Sequence, residues 1–221
     1  MLFDLLFTLN SLPFIYKLII FITFSLAVII ALTSHEFAHA FMAYKLGDKT
    51  PKVEGRLTLN PMAHFDIKGL ICFLFLGFGW AKPVPINSFN FKKIKRDTFL
   101  VSIAGILTNL ILAFAFCPLA MYLSTVYHQS KLLTALYFFA MYTYQINLVF
   151  MVFNLLPIHP LDGYNAIASQ LSYTNPFVTF MQKYGSVILI VVVIIFAYTD
   201  IFNLLVSSVG YPITEFWGLI L

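Results

Sequence analysis

Four apolar runs dominate this 221-residue sequence, and each is long enough to cross a lipid bilayer as a helix with some tilt. Apolar residues make up 61% of the chain and charged residues only 10%, whereas about a quarter of a soluble domain is charged. We therefore predict an all-α polytopic membrane protein with four to five transmembrane helices, built as one domain over residues 1–221. The predicted spans are 14–46, 98–126, 132–156 and 184–206.

The region between the first two spans, 47–97, is more polar and is predicted to contain a re-entrant or hairpin segment. Alternation over 53–59, broken by a glycine, indicates a short strand or hairpin. The apolar run 67–80 is shorter than the roughly 20 residues that a spanning helix needs, which indicates a re-entrant or packed segment. Two prolines favour a loop or an edge strand over 81–87. The apolar piece 213–221 fits either a further membrane segment or a packed end.

The sequence His35-Glu36-Phe37-Ala38-His39 lies in the second half of the first predicted span. Residues four apart on a helix lie on one face, so His35 and His39 can bind one metal ion while Glu36 transfers protons beside them. Ionisable side chains are costly in hydrocarbon unless they pair or bind metal. The motif therefore predicts a zinc-hydrolase site in or near the membrane.

The basic residues indicate how the chain is oriented in the bilayer. Ten of the thirteen Lys and Arg residues lie between Lys45 and Arg96, and positive charge favours the cytoplasmic side. We expect this segment to face anionic lipid headgroups and not nucleic acid. The chain is then a multi-pass protein, expected in the cell (inner) membrane, with its active site toward the cytoplasmic side.

A catalytic zinc ion takes three protein ligands and keeps a fourth position for water, so the two histidines need a third partner. If the first span runs inward, the next two spans return the chain to the cytoplasmic side just before Asp162. Asp162 is therefore the favoured third ligand. Four other residues remain candidates, namely Glu54, His64, Asp66 and His159.

Several motifs, in order along most of the chain, resemble those of the site-2 protease family of intramembrane zinc metalloproteases. They are His35-Glu36-Phe37-Ala38-His39, Leu59-Asn60-Pro61, Gly79-Trp80-Ala81-Lys82-Pro83-Val84-Pro85, Asn154-Leu155-Leu156-Pro157 and Leu161-Asp162-Gly163. Separated motifs in the right order are far more specific than any one of them alone.

The resemblance implies roles for individual residues. His35, His39 and Asp162 are implied to bind zinc, Glu36 to act as the catalytic acid and base, and Asn154 to help hold the substrate carbonyl or its oxyanion. The segment 104–109 also resembles a small-residue segment of the family, and close helix packing is its favoured role.

The function implied is that of a zinc metalloendopeptidase with one Zn²⁺ per chain. It would hydrolyse peptide bonds of transmembrane or membrane-associated protein substrates in regulated intramembrane proteolysis. The alternative is a non-proteolytic membrane zinc-binding protein or metal transporter. Transport favours a ladder of polar residues through several spans, and the later spans contain few. Glu36 also favours hydrolysis, because metal retention alone needs no general base.

Overall fold

In the computed structural model, the described residues are 12–66, 69 and 82–221, and they form helices joined by loops, with no strand among them. Among these residues, four helices are long and apolar enough to cross a membrane, as the sequence predicts: α1 (Phe14–Lys45), α3 (Ile94–Ser124), α4 (Lys131–Leu155) and α6 (Pro176–Tyr198). Within the described ranges, three shorter α-helices accompany them: α2 (Thr50–Val53), α5 (Asp162–Gln170) and α7 (Ile201–Gly218). Short 3₁₀ helices cover Pro61–Ala63, Ser88–Asn90 and Tyr127–Gln129. The structure thus confirms the all-α polytopic class.

Helices α1, α3 and α4 pack against one another and form the centre of the fold. On α1, Ala27 and Ala31 are fully buried, and small residues of this kind let helices approach closely. Phe24 packs edge-on against Tyr142 of α4, with 5.4 Å between ring centroids. Helix α7 covers α3 and α4 through Ile213, whereas most of α6 is exposed. The apolar face of α6 suits a lipid environment.

Local signals set the ends of the helices. Gly47 follows α1 and adopts a left-handed backbone with a φ of 113°, which glycine tolerates without steric cost. The Asp48 N–H then donates to the Ala43 carbonyl at 3.0 Å, so backbone bonds close the last turn. At the start of α4, the Ser130 hydroxyl accepts a hydrogen bond from the Leu133 N–H at 3.1 Å. Both ends are therefore fixed by short-range chemistry.

The predicted strand or hairpin over 53–59 is wrong. The structure has the helix α2 and then a turn, in which Gly55 has a φ of 68°. Pro51 suits a first helical turn, because its φ is fixed and its missing N–H is not needed there. Its carbonyl accepts a hydrogen bond from the Arg56 N–H at 2.7 Å. The helix-start signal therefore outweighs the alternating pattern.

The structure also differs from the predicted last span, 184–206. It has two helices here, α6 and α7, which are separated at Thr199 and Asp200. Thr199 is extended, with φ −134° and ψ 159°, so the helix cannot continue through it. Helix α6 begins earlier than predicted because Pro176 suits its first turn and the Asn175 side chain caps it.

The connection between α1 and α3 is described in part. Residues 82–87 form a loop, in which Asn87 has an extended backbone. The predicted re-entrant segment 67–80 lies outside the described residues, apart from residue 69, as does Ala81. The ambiguous piece 213–221 lies mostly within α7.

Candidate metal centre

His35 and His39 lie one turn apart on α1, as their spacing predicts. Both are buried, with rings nearly perpendicular and 4.6 Å between centroids. Their Nε2 atoms are 3.0 Å apart. Gly105 of α3 lies against both rings, and a Cβ there would come within 2.5 Å of the His39 Nε2 atom and the His35 Cε1 atom. The small residue in the 104–109 segment therefore makes room for the imidazoles themselves.

Asp162 is the first residue of α5 and meets the two histidines from across the bundle. Its Oδ2 atom is 3.0 Å from the His35 Nε2 atom and 3.1 Å from the His39 Nε2 atom. Helix α5 can start here because Gly163 follows Asp162. A Cβ at position 163 would overlap the backbone carbonyl of Leu155. The structure thus brings together the three residues that the sequence favours as metal ligands.

Hydrogen bonds on the far side of each ring decide which of its two nitrogens carries the proton. The His39 Nδ1 atom is 2.7 Å from the carbonyl oxygen of Val101, which can only accept. The His35 Nδ1 atom is 2.6 Å from the Oδ1 atom of Asn109, which also accepts. Both Nδ1 atoms therefore carry a proton, so the Nε2 atoms facing Asp162 are the nitrogens that can offer a lone pair to a metal ion.

This donor set fits a zinc ion. Two imidazole nitrogens and one carboxylate oxygen converge with edges of 3.0 to 3.1 Å. A tetrahedral site with bonds of about 2.0 to 2.1 Å has edges of roughly 3.3 Å, so a small adjustment accommodates the ion and leaves a fourth position open. Among the described residues, no other group of three His, Cys, Asp or Glu side chains comes together in this way.

The charge on Asp162 suits a cation. Burial by itself disfavours the ionised carboxyl. With protons on the Nε2 atoms, the positive charge of His39 and the hydrogen bonds that both histidines donate outweigh burial and hold the pKa of Asp162 well below its usual value. Asp162 is therefore a carboxylate at neutral pH. A metal ion that replaces those protons would find two neutral imidazole nitrogens and one negative oxygen as donors.

Glu36 faces the same cavity, which has a volume of about 250 Å³ and is lined also by Asn154 and Asn165. The Glu36 side chain is half-buried, and its Oε2 atom accepts a hydrogen bond from the Val84 N–H at 3.3 Å. Asn154 uses one N–H to donate to the Phe150 carbonyl at 3.1 Å. Its amide carries a second N–H, which a bound carbonyl could accept.

The segment 82–87 lines this cavity through Pro83, Val84 and Ile86, and Arg56 holds its first residues. This buried guanidinium donates to the carbonyls of Ala63, Lys82 and Pro83. In addition, the Lys82 N–H donates to the His64 carbonyl at 2.9 Å. Hydrogen bonds therefore join the residues after α2 to the first residues of the segment 82–87.

Asp48 holds the other end of this segment. The Asn87 N–H and the Asn90 side-chain amide each donate to the Asp48 carboxylate at 2.7 Å, and Thr50 donates from its N–H and its hydroxyl. Burial raises the pKa of the Asp48 carboxyl, but these hydrogen bonds outweigh burial and lower it. Asp48 thereby fixes the segment to the end of α1. This end of the helix lies one and a half turns or more beyond His35 and His39.

The rival third ligands lie elsewhere. His64 is fully buried, and its Nε2 atom lies 2.8 Å from the Thr58 carbonyl. His159 packs edge-on against Tyr164, with 5.2 Å between ring centroids. Glu54 is exposed at the end of α2. These three residues and Asp66 are not part of the described His and Asp cluster.

Sequence reasoning missed the residues that orient the ligands. Asn109 was expected mainly to pack helices, and Val101 contributes only a backbone carbonyl, which leaves no signature in a sequence. A signal for Asn109 did exist, because a polar side chain within an apolar span is a candidate for function.

Comparison with known proteins identifies the family. The family model described as "Peptidase family M50" matches residues 23–197, which include both histidines, Glu36 and Asp162. The chain therefore belongs to peptidase family M50, the site-2 protease family. This membership confirms the resemblance and makes the chain a membrane metalloprotease of the zinc type.

Individual M50 relatives carry matching names. The chain is 43% identical over 169 residues to a Bacillus subtilis protein provisionally named zinc metalloprotease YwhC, covering 75% of this chain and 77% of the relative. It is 33% identical over 149 residues to a Mycobacterium tuberculosis protein provisionally named zinc metalloprotease Rip2, covering 65% of this chain and 55% of the relative. No solved structure matches the chain.

Proposed function

We propose that this M50 protein is an intramembrane zinc metalloendopeptidase that cleaves transmembrane or membrane-associated proteins, in the manner of regulated intramembrane proteolysis. The observation that carries the proposal is the convergence of His35, His39 and Asp162 beside Glu36, on helices that can span a membrane. A site of metal retention alone would need no carboxylate beside the ligands.

In this proposal His35, His39 and Asp162 hold one Zn²⁺ per chain. When bound, zinc supplies Lewis acidity toward a carbonyl and makes water a better nucleophile. Glu36 takes a proton from the attacking water and delivers it to the leaving amine. The second N–H of Asn154 donates to the substrate carbonyl oxygen and stabilises the charge that develops there.

A substrate helix must open before it can react, since its carbonyls are bonded within the helix. We propose that the opened strand pairs with one edge of the segment 82–87. Val84 and Ile86 line the cavity beside Glu36, whose Oε2 atom accepts from the Val84 N–H. Main-chain groups of this segment would hold the peptide beside the metal.

A cleavage assay in liposomes tests the proposal. We expect a single-span test substrate with Gly, Pro or Asn near its cytoplasmic end to be cleaved faster than the same substrate with Leu there. Glycine weakens a helix by about 1 kcal/mol, which corresponds to roughly fivefold in rate if opening limits cleavage.

The matched control places the same glycine at the opposite end of the substrate span, where it should leave the rate unchanged. Equal rates for Gly and Leu near the cytoplasmic end would contradict the opening step. A zinc-loaded wild-type protein that cleaves none of these substrates would favour the metal-binding or transport alternative.

A separate prediction concerns the orientation of the chain. We expect it to lie in the cell (inner) membrane with its site toward the cytoplasm. In a variant without Cys72 and Cys117, single cysteines at Lys49 and Lys93 should react with an impermeant thiol reagent from the cytoplasmic side. A cysteine at Gln129 should react from the outside, because the 31 residues of α3 separate it from Lys93. Labelling of Lys93 and Gln129 from one side would contradict this orientation.

A further inference from the structure

Two fully buried asparagines link the metal centre to the middle of the bundle. Asn109 of α3 and Asn147 of α4 have no exposed surface. The Asn109 Oδ1 atom is 2.6 Å from the His35 Nδ1 atom, and the Asn109 amide nitrogen donates to the Asn147 Oδ1 atom at 2.7 Å. The Asn147 amide nitrogen donates in turn to the Thr143 carbonyl at 2.7 Å.

The direction of this chain follows from its far end. A backbone carbonyl can only accept, so the Thr143 carbonyl fixes the amide nitrogen of Asn147 toward itself. The Asn147 oxygen must then face Asn109 and accept from its amide nitrogen. The Ala31 carbonyl accepts from the same Asn109 nitrogen at 3.2 Å. Asn109 is therefore left with its oxygen toward His35.

This orientation decides whether His35 can bind a metal ion. An Asn109 amide turned by half a rotation would place N–H groups against the His35 Nδ1 atom and favour the proton on Nε2 instead. A protonated Nε2 atom has no lone pair for a ligand bond. His39 is independent of this effect, because the Val101 carbonyl fixes its ring.

We propose that Asn109 and Asn147 are positioning residues, which together hold His35 in the tautomer that binds zinc. The inference rests on the proposed metal site and adds a pair of residues that no ligand motif contains. Groups that orient metal-bound histidines typically change metal affinity by about 10- to 100-fold when removed.

The test is the Zn²⁺ affinity of the purified full-length protein, measured by competition with a chelator. Asn109→Leu should weaken Zn²⁺ binding by about 10- to 100-fold. Asn147→Leu should weaken it less, by up to about tenfold, because the Ala31 carbonyl still holds the Asn109 amide. Tyr144→Phe is the control, since it removes another α4 hydrogen bond, to the Gly210 carbonyl, and should leave the affinity unchanged.

A second protein background, the Asn109→Asp variant, separates an effect on the orientation of His35 from an effect on general stability. Asn109→Asp keeps an acceptor for His35, and a carboxylate accepts through either oxygen, so no partner is needed to orient it. Asn109→Asp should therefore bind Zn²⁺ more tightly than Asn109→Leu, although it also loses the donor to Asn147. Asn147→Leu should weaken Zn²⁺ binding in the wild-type background but not in the Asn109→Asp background.

The outcomes are distinguishable. If Asn147→Leu weakens Zn²⁺ binding equally in both backgrounds, or if Asn109→Leu binds like the wild type, the orienting role is wrong and the metal site stands. If the wild-type protein itself binds no Zn²⁺, the metal site and the orienting role both fail. Should Asn109→Leu not fold, Asn109→Asp and Asn147→Leu still decide the question, with thermal melting of the metal-free proteins as the check on folding.

Discussion

Replacing Glu36 by Gln should abolish most cleavage and leave the metal in place. The substitution keeps the side-chain length and the helix α1, and it leaves His35, His39 and Asp162 untouched. It removes the group that accepts a proton from water, and losing a general base typically lowers the rate by about two to four orders of magnitude. The measurement is cleavage of a liposome-bound substrate together with the zinc content of the same sample.

Glu54→Gln is the matched control for this experiment. Glu54 is an exposed carboxylate outside the cavity, so its loss changes the net charge equally and should leave cleavage unchanged. Wild-type cleavage by Glu36→Gln would contradict the proposed mechanism. Loss of zinc from Glu36→Gln would show instead that Glu36 holds the metal, and the division between ligands and base would be wrong.

The part of the site on α1 could be predicted from the sequence because it depends on helix geometry alone. A separation of four residues places His35 and His39 on one face wherever a helix forms. The apolar runs guarantee that helix, and the number of spans between α1 and Asp162 brings the carboxylate to the same side of the bundle. The structure places all three groups within 3.1 Å of one another.

The groups that orient these ligands could not be predicted in the same way. Asn109 lies 74 positions from His35, and Asn147 lies a further 38 along the chain. Their contacts therefore depend on the rotation and the axial position of α1, α3 and α4 relative to one another. No short-range pattern sets that register. The carbonyl of Val101 is still less visible, because every residue type has one.

The connection between α1 and α3 was partly mispredicted because its path depends on two buried charges. The period-two pattern after α1 resembles a strand, but the Asp48 carboxylate and the Arg56 guanidinium collect backbone groups from both sides of the connection. Buried ionised groups need several partners. These two set the path of the loop where local propensity favours a hairpin.

Replacing Asp162 should have the largest effect on metal content. Asp162→Ala removes the charged member of the three ligands, and the two remaining imidazoles are neutral. Removing a group that merely orients a ligand weakens metal binding by about 10- to 100-fold, so removing the ligand should weaken Zn²⁺ binding by more than about 100-fold. His35→Ala and His39→Ala should have similar effects. Elemental analysis and chelator competition measure the loss.

His159→Ala provides the control, because His159 lies three residues before Asp162, in the loop that leads into α5, and packs on Tyr164 instead of the cluster. It should keep its zinc. Comparison with Asp162→Asn then separates charge from shape, since the amide keeps one oxygen donor and lacks the negative charge. Asp162→Asn should bind Zn²⁺ more weakly than the wild type and more tightly than Asp162→Ala. Full zinc content in Asp162→Ala, with loss in His159→Ala, would reassign the third ligand to His159, and the convergence on which the proposed enzyme rests would have to be rebuilt around that residue.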